Sequence, residues 1–155
     1  MGAAMIRLLV AMILAGAPAL AETPRPQALQ SLLDYHAAAC SAQSGTLTTP
    51  AEAVTEAYFF GPGEAALILD SSRLSCSTAP AMFCGDGLGC ELNVFVGDVQ
   101  HSLVVLNWSL ENDDDRQLLV VTIAAELLQR TEDLTTRMTW DPATNALAVV
   151  DEVAD

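Results

Sequence analysis

The sequence contains no lysine, so its basic side chains are six arginines and two histidines. They are outnumbered by 20 acidic residues, and the formal net charge is −14. A surface with this balance repels phosphate backbones and anionic membranes, which excludes nucleic acid as a partner. Two interpretations of the charge stay open: it only keeps the protein soluble, or it attracts a cationic partner.

The chain also lacks the motifs by which common catalytic sites are recognised. It contains no G-x-S-x-G, S-x-x-K, H-E-x-x-H or Walker sequence. Neither His36 nor His101 has a second histidine three or four residues away, so neither begins a local metal site. Ser71, His101 and an aspartate could meet in space, but almost any protein of this size offers such a set. The sequence therefore identifies no catalytic residue, no metal site and no cofactor.

Aromatic residues are scarce, at 5% of the chain, and this weakens the case for a polymer-cleaving enzyme. A glycosidase holds two acids at a defined separation in a cleft. Here the acids cluster in predicted turns, and Trp108 and Trp140 lie at the ends of predicted strands, where a role at the edge of the core is the default. Asp113-Asp114-Asp115 lacks the D-x-D-x-D-G spacing of a calcium loop and is interpreted as a solvated turn.

The N-terminal segment has the three parts of a secretory signal. Arg7 precedes an apolar run at 8–17, and Ala19-Leu20-Ala21 has small residues where signal peptidase selects them. The competing interpretation is a membrane anchor, but a spanning helix needs about 20 apolar residues and Pro18 interrupts this run. We predict that residues 1–21 are a signal peptide.

Cleavage between Ala21 and Glu22 would leave residues 22–155 as one domain, near the commonest domain size. The residue after the cut is not cysteine, which argues against a lipid anchor. A single arginine before the apolar run gives no sign of twin-arginine export. We therefore expect a periplasmic or secreted protein with no membrane association after cleavage.

All four cysteines lie in the predicted mature chain, which favours two disulfides in an oxidising compartment: Cys40, Cys76, Cys84 and Cys90. A zinc site is the rival interpretation, but no C-x-x-C pair is present. Three connectivities are possible. We prefer Cys40–Cys76 with Cys84–Cys90, because the glycine-rich segment between the last two cysteines could close on itself.

Hydrophobic periodicity predicts one helix followed by strands. From Gln27 onward the residues of one stripe recur at spacings of three and four: Leu29, Leu32, Leu33, His36, Ala37 and Cys40. Beyond residue 50, short apolar runs alternate with turn residues, which predicts strands at 54–60, 65–69, 90–96, 101–110, 117–125, 134–140 and 146–150. We expect 101–110 to be a central strand covered on both faces. The pattern is typical of an α+β fold in which an amphipathic helix packs on an antiparallel sheet of about five to seven short strands.

Part of the chain resembles small secreted proteobacterial proteins of unassigned function. The resemblance rests on 58–70 (YFFGPGEAALILD), Cys76, Phe83-Cys84-Gly85 and Gly89-Cys90, about a quarter of the chain. In those proteins a D-x-N-G-D-G loop precedes an apolar strand ending in Asp, and a C-G…G-C element follows. Here residues without carboxylates replace the loop's calcium-binding positions: Tyr58, Phe60, Pro62 and Ala66. The resemblance implies that the loop shape is kept at 61–63 without calcium, and it implies location and fold rather than activity.

Two functional hypotheses follow. Export, small size, disulfides and acidity favour a non-enzymatic binding, inhibitory or accessory protein. Its partner would be an envelope or extracellular protein, and the acidity suits a cationic one. The alternative is a small hydrolase that acts on envelope polymers through carboxylates. An enzyme requires a concave pocket with two acids, or a histidine beside a nucleophile. A binding protein requires an exposed apolar or strongly acidic patch.

Overall fold

The computed structural model describes residues 25–153, so the predicted signal peptide and the Ala21–Glu22 cleavage site lie outside the described residues. The first element is helix α1 (Gln27–Ala42). Its first turn is capped from a distant hairpin, because the Gln27 backbone N–H donates to Asp98 Oδ1 at 2.9 Å. A carboxylate at this position satisfies an otherwise unpaired N–H and complements the helix dipole.

The predicted amphipathic stripe forms the inner face of α1. Four of its members are buried: Leu29, Leu33, His36 and Cys40. Ala37, which the periodicity also assigned to this stripe, is exposed. None of the helices within residues 25–153 is long and apolar enough to cross a membrane.

Strands make up most of the rest of the chain. Eleven lie within residues 25–153: β1 (Leu47–Thr48), β2 (Val54–Ala57), β3 (Ala66–Asp70), β4 (Ser75–Cys76), β5 (Cys84–Gly85), β6 (Gly89–Val96), β7 (Val99–Val105), β8 (Asn107–Asp113), β9 (Arg116–Ile123), β10 (Leu134–Asp141) and β11 (Ala146–Glu152). A second short helix, α2 (Ala125–Leu128), follows β9, and 3₁₀ turns occupy Ala51–Ala53 and Ser71–Arg73.

All strand pairings are antiparallel, and they form two main sheets. In the first sheet β2, β3 and β6 are neighbours, β7 pairs with the other side of β6, and the short β5 pairs with the start of β6. The second sheet has the order β11-β10-β9-β8, and β1 pairs with β4 as a separate ribbon. The α+β class, the N-terminal helix and the antiparallel pairing are confirmed. The strands outnumber the predicted five to seven, because β1, β4 and β5 have only two residues each and the predicted strand at 101–110 is divided into β7 and β8; they form two main sheets where one was expected.

The elements form three layers, with the first sheet between α1 and the second sheet. Leu92 and Val94 of β6 join the apolar cluster between the two sheets, whereas Phe95 joins the cluster under α1. Successive side chains of β6 therefore point into two different cores. The alternation in the sequence predicted this, because it placed Leu92 and Val94 on one face of the strand and Phe95 on the other. Each such side chain stabilises the fold by about 1.5–3 kcal/mol through removal from water.

The expectation of a central strand at 101–110 was wrong. The chain leaves the first sheet after Val105 and enters the second at Asn107, so β7 and β8 are both edge strands. Leu106 lies between them, and its N–H donates to the Thr122 carbonyl at 2.7 Å. The segment contains the apolar run 103–106 although not all of these side chains are covered; Val105 is buried, but Val104 and Leu106 are 41% and 40% exposed. An apolar run does not by itself reveal a change of sheet.

Both disulfides have the preferred connectivity. Cys40–Cys76 ties α1 to β4, with 5.6 Å between the Cα atoms, and Cys84–Cys90 links β5 to β6, with 4.1 Å. Gly89, next to the second link, lets the end of β7 approach the start of β6. It has a φ of 102°, and a Cβ at this position would overlap the backbone carbonyl of Val105. Such disulfides fit an oxidising, extracytoplasmic compartment.

Candidate functional sites

The carboxylate of Asp70 lies at the end of β3, where it accepts hydrogen bonds from a backbone N–H and from three side chains. Its Oδ1 accepts hydrogen bonds from the N–H and the hydroxyl of Ser72, at 2.9 and 2.6 Å. Its Oδ2 accepts from the Trp108 indole N–H at 3.0 Å and from Arg73 Nε at 3.3 Å. Asp70 is 7% exposed, and a buried charge is tolerated only when it is paired and hydrogen-bonded. The four donors leave this carboxylate fully engaged.

A cavity of about 390 Å³ opens beside this network, where β7 passes into β8. We call it the Arg73 cavity, and its polar lining consists of Thr55, Asp70, Ser72, Arg73, Asn107, Trp108 and Ser109. Asp70 is its single acidic residue. The cavity therefore does not offer the pair of carboxylates that a glycosidase requires.

A second cavity of about 420 Å³ lies between α1 and the segment around the Cys84–Cys90 disulfide. We call it the His36 cavity, and it is lined by Tyr35, His36, Ala39, Met82, Phe83, Cys84, Gly85 and Glu91. The His36 ring meets Phe83 edge to face, with 4.9 Å between the ring centroids. Tyr35 is 67% exposed at the rim.

His36 is held in its neutral form by its surroundings. The side chain is buried, and its Nε2 has no hydrogen-bond partner within residues 25–153. Burial lowers the pKa of His36, because desolvation disfavours the imidazolium; the nearby negative charge of Glu91 opposes this effect and is the smaller cause. At neutral pH His36 thus adds no positive charge to the cavity.

The two disulfides position the walls of the His36 cavity. Cys40 lies one helical turn after His36, so the bridge to Cys76 fixes the helix beside the cavity. Cys84 and Cys90 are directly paired across β5 and β6, which brings the preceding Phe83 and the following Glu91 close together. Glu91 takes part in no ion pair among residues 25–153. The result is a cavity of aromatic and acidic groups that contains no cation of its own.

A third cavity, of about 510 Å³, lies where the connection between β2 and β3 meets the β8–β9 turn. Tyr58 and Gln117 clamp the two segments: Gln117 N donates to Tyr58 O at 2.8 Å, and Tyr58 N donates to Gln117 Oε1 at 3.0 Å. Asp114 and Asp115 line the cavity, and both are exposed. Across the described part of the chain, no group of three or more His, Cys, Asp or Glu side chains is placed to hold a metal ion.

The structure separates the residues that the sequence considered as a catalytic set. Ser71 is completely buried, its hydroxyl has no hydrogen-bond partner in the described part of the chain, and His101 is partly exposed on β7 opposite Val94. No hydrogen bond joins these two side chains within residues 25–153. Trp140 is buried in the core between the sheets, deeper than the edge position that we expected, whereas Trp108 is partly buried and packs against this core.

Sequence reasoning missed the Asp70 network. One local signal was present, because Asp70 followed by Ser-Ser-Arg after an apolar strand is typical of a capped turn. The contact with Trp108 spans 38 residues and has no local signature. The Arg73 cavity could therefore not be located before the fold was known.

Comparison with known proteins gives no relative. No protein-family model, no curated protein and no solved structure matches the chain. The resemblance to secreted proteobacterial proteins stays a prediction, and the function has to be argued from the cavities.

Proposed function

We propose that this protein is a non-enzymatic binding domain of the periplasm or the extracellular space, and that it holds a cationic side chain of a partner protein in the His36 cavity. The observation that carries the proposal is that Glu91, which has no ion pair within residues 25–153, lines the same cavity as the aromatic side chains of Phe83 and Tyr35. A carboxylate next to aromatic rings is the combination that binds guanidinium and ammonium groups. An arginine or lysine side chain can bind the carboxylate and the aromatic rings at the same time.

The charge of the whole molecule supports the same kind of partner. A chain with a net charge of −14 attracts basic proteins at long range and speeds their encounter with it. Within the cavity, a cation over an aromatic ring contributes about 0.5–2 kcal/mol, depending on how much water is excluded. Neutral His36 does not oppose the entry of a cation.

Two features favour binding over catalysis. Asp70 is saturated by four donors, so it lacks a free lone pair for proton transfer. His36 shares its cavity with a cysteine, but Cys84 is held in a disulfide and cannot serve as a thiolate nucleophile.

The location follows from the cysteine chemistry together with the predicted signal. Two formed disulfides fit an oxidising compartment, and the N-terminal pattern predicts export to one. We therefore place the binding event in the periplasm or outside the cell.

Titration of the ¹⁵N-labelled, disulfide-bonded protein with two blocked tripeptides tests the proposal. One is glycyl-arginyl-glycine, and the other has citrulline, the neutral isostere, in place of arginine. We expect the arginine peptide to shift the amide resonances of residues 35–39 and 83–91, and the citrulline peptide to leave them in place. Glu91→Gln should weaken binding about tenfold, since it removes a charge-assisted contact.

Glu132→Gln is the matched control, because Glu132 is exposed and lines neither this cavity nor the Arg73 cavity. It changes the net charge by the same amount and should leave the affinity unchanged. Equal binding of both peptides, or equal losses in both variants, would show that only general charge attraction acts and would refute the proposal.

The hydrolase hypothesis has one observation in its favour. Asp114 and Asp115 line the same cavity, so two carboxylates do meet in a concave site. Both lie exposed in a tight turn, where neither is desolvated as a general acid needs to be. Two results together would favour this alternative. The protein would release reducing ends from envelope polysaccharide, and the double change Asp114→Asn and Asp115→Asn would abolish that release.

A further inference from the structure

The Arg73 cavity presents hydrogen-bond donors in excess. Arg73 uses only Nε on Asp70, and its two Nη groups have no partner among residues 25–153. Asn107 accepts a hydrogen bond from the Trp108 backbone N–H at 2.9 Å through Oδ1, which leaves its amide N–H₂ as a donor. The hydroxyls of Thr55 and Ser109 make no side-chain hydrogen bond within the same residues.

The carboxylate and amide oxygens of this cavity, in contrast, accept hydrogen bonds within the protein, whereas the Thr55 and Ser109 hydroxyls can both donate and accept. Both oxygens of Asp70 accept hydrogen bonds from the protein, and one of these donors is the Ser72 hydroxyl, at 2.6 Å. Asp70 also holds the guanidinium at one point, through Nε at 3.3 Å, while the rest of the half-exposed side chain faces the cavity. A guanidinium held in this way offers its two outer N–H groups as a preorganised fork for a carboxylate.

The indole ring of Trp108 adds an apolar wall next to the fork. Its N–H is anchored on Asp70 at 3.0 Å, so the ring has a fixed position. An aromatic face beside several hydroxyl and amide groups suits a sugar, whose ring has an apolar C–H face and polar hydroxyl edges. A cavity of about 390 Å³ accommodates one or two sugar units.

We infer that the Arg73 cavity is a second binding site, independent of the His36 cavity, and that it takes a carboxylate-bearing saccharide. The carboxylate meets Arg73, the hydroxyls meet Asn107, Thr55 and Ser109, and the sugar ring lies against Trp108. The net charge of −14 opposes the approach of an anion, so the affinity for the carboxylate has to come from the donors that converge in the cavity.

The test uses the two tryptophan indole N–H resonances of the disulfide-bonded protein, since the chain has only two tryptophans. Trp108 reports on the cavity, and Trp140, which is 4% exposed in the core, is the internal reference. The probes are glucuronate, glucose and acetate: the first carries both a sugar ring and a carboxylate, and each of the others carries one of the two. We expect glucuronate alone to shift the Trp108 resonance at millimolar concentration.

Arg73→Gln should weaken glucuronate binding about tenfold, as the loss of a charge-assisted hydrogen bond predicts. Arg73→Lys should lose most of the affinity as well, because it keeps the charge but not the fork. Arg130→Gln is the matched control: its side chain is 47% exposed, against 49% for Arg73, and its ion pair with Glu152 involves no residue of the cavity. It should bind glucuronate as the wild type does.

Three results would overturn the inference. Equal binding of glucose would show that the carboxylate plays no part, and equal binding of acetate would show the same for the sugar ring. No shift of the Trp108 resonance with any of the three probes, up to tens of millimolar, would show that the cavity is not a site for this class of ligand.

Discussion

At the scale of the residue, Asp70 couples the stability of the first sheet to the shape of the Arg73 cavity. Its four hydrogen bonds reach three other residues, and one of them, Trp108, belongs to the second sheet. The network therefore ties the two sheets together at a point where the chain crosses between them.

Asp70→Asn should lower the free energy of unfolding by about 2–3 kcal/mol, because the new amide N–H₂ has to face donors that the carboxylate satisfied. Asp141→Asn is the control. Asp141 also accepts two hydrogen bonds in a turn, from Ala143 N at 2.9 Å and Thr144 Oγ1 at 3.0 Å, but in an exposed setting. That change should cost less than about 1 kcal/mol. Urea unfolding measures both, and equal costs would contradict the role assigned to Asp70.

His36 should make the stability depend on pH in a defined direction. Its pKa is lowered in the folded protein by burial, whereas the unfolded chain has the ordinary value of about 6.5. As the pH falls through about 6.5, the unfolded state takes up the proton first, so the folded state loses stability until the folded pKa is passed.

Comparison of wild type with His36→Leu isolates this effect from the titration of the carboxylates. We expect the difference in unfolding free energy between pH 7.5 and pH 5.5 to be smaller in the variant. His101→Leu, which replaces a partly exposed histidine, should retain the wild-type difference. If His36→Leu has the same pH dependence as wild type, the imidazole is not held neutral by burial.

At the scale of the element, the two disulfides have different consequences. Cys40–Cys76 closes a loop with a sequence separation of 36, and Cys84–Cys90 closes one of 6. The loop-entropy model assigns about 4 kcal/mol to the longer loop and about 2 kcal/mol to the shorter. The shorter one, however, places both Phe83 and Glu91.

Replacing Cys84 and Cys90 by alanine should therefore cost less stability than replacing Cys40 and Cys76, yet it should remove more of the affinity for the arginine tripeptide. Denaturant unfolding and peptide titration of the two double variants measure these quantities side by side. A folded Cys84→Ala, Cys90→Ala variant with unchanged peptide affinity would show that the disulfide does not shape the cavity.

The elements also show what the sequence could and could not predict. The stripe containing Leu29, Leu33 and Cys40 predicted α1 because its period is local, and the glycine-rich segment before Cys90 predicted the short disulfide loop. The change of sheet at Leu106 was missed, since the apolar residues 103–106 run straight up to it and the single polar Asn107 that follows is not a turn signal. Edge strands that face a second sheet give the same pattern as a central strand.

At the scale of the whole molecule, the layered order of helix, sheet and sheet explains why both cavities lie at borders between elements. The His36 cavity lies where the helix layer meets the first sheet, and the Arg73 cavity lies where the first sheet meets the second. The hydrophobic pattern predicted the α+β class, and the composition predicted the acidity. The sites, however, depend on contacts such as Asp70–Trp108 that only the fold creates. Function was therefore less predictable than fold.

The proposed binding function depends on an exported chain with both disulfides formed, because these bridges hold the walls of the His36 cavity. The most direct test is the intact mass of the protein, expressed with its N-terminus intact, before and after reduction and alkylation. We predict a chain that begins at Glu22, in which the four thiols are blocked until reduction. A chain that retains Met1 and has four freely alkylating thiols would contradict it.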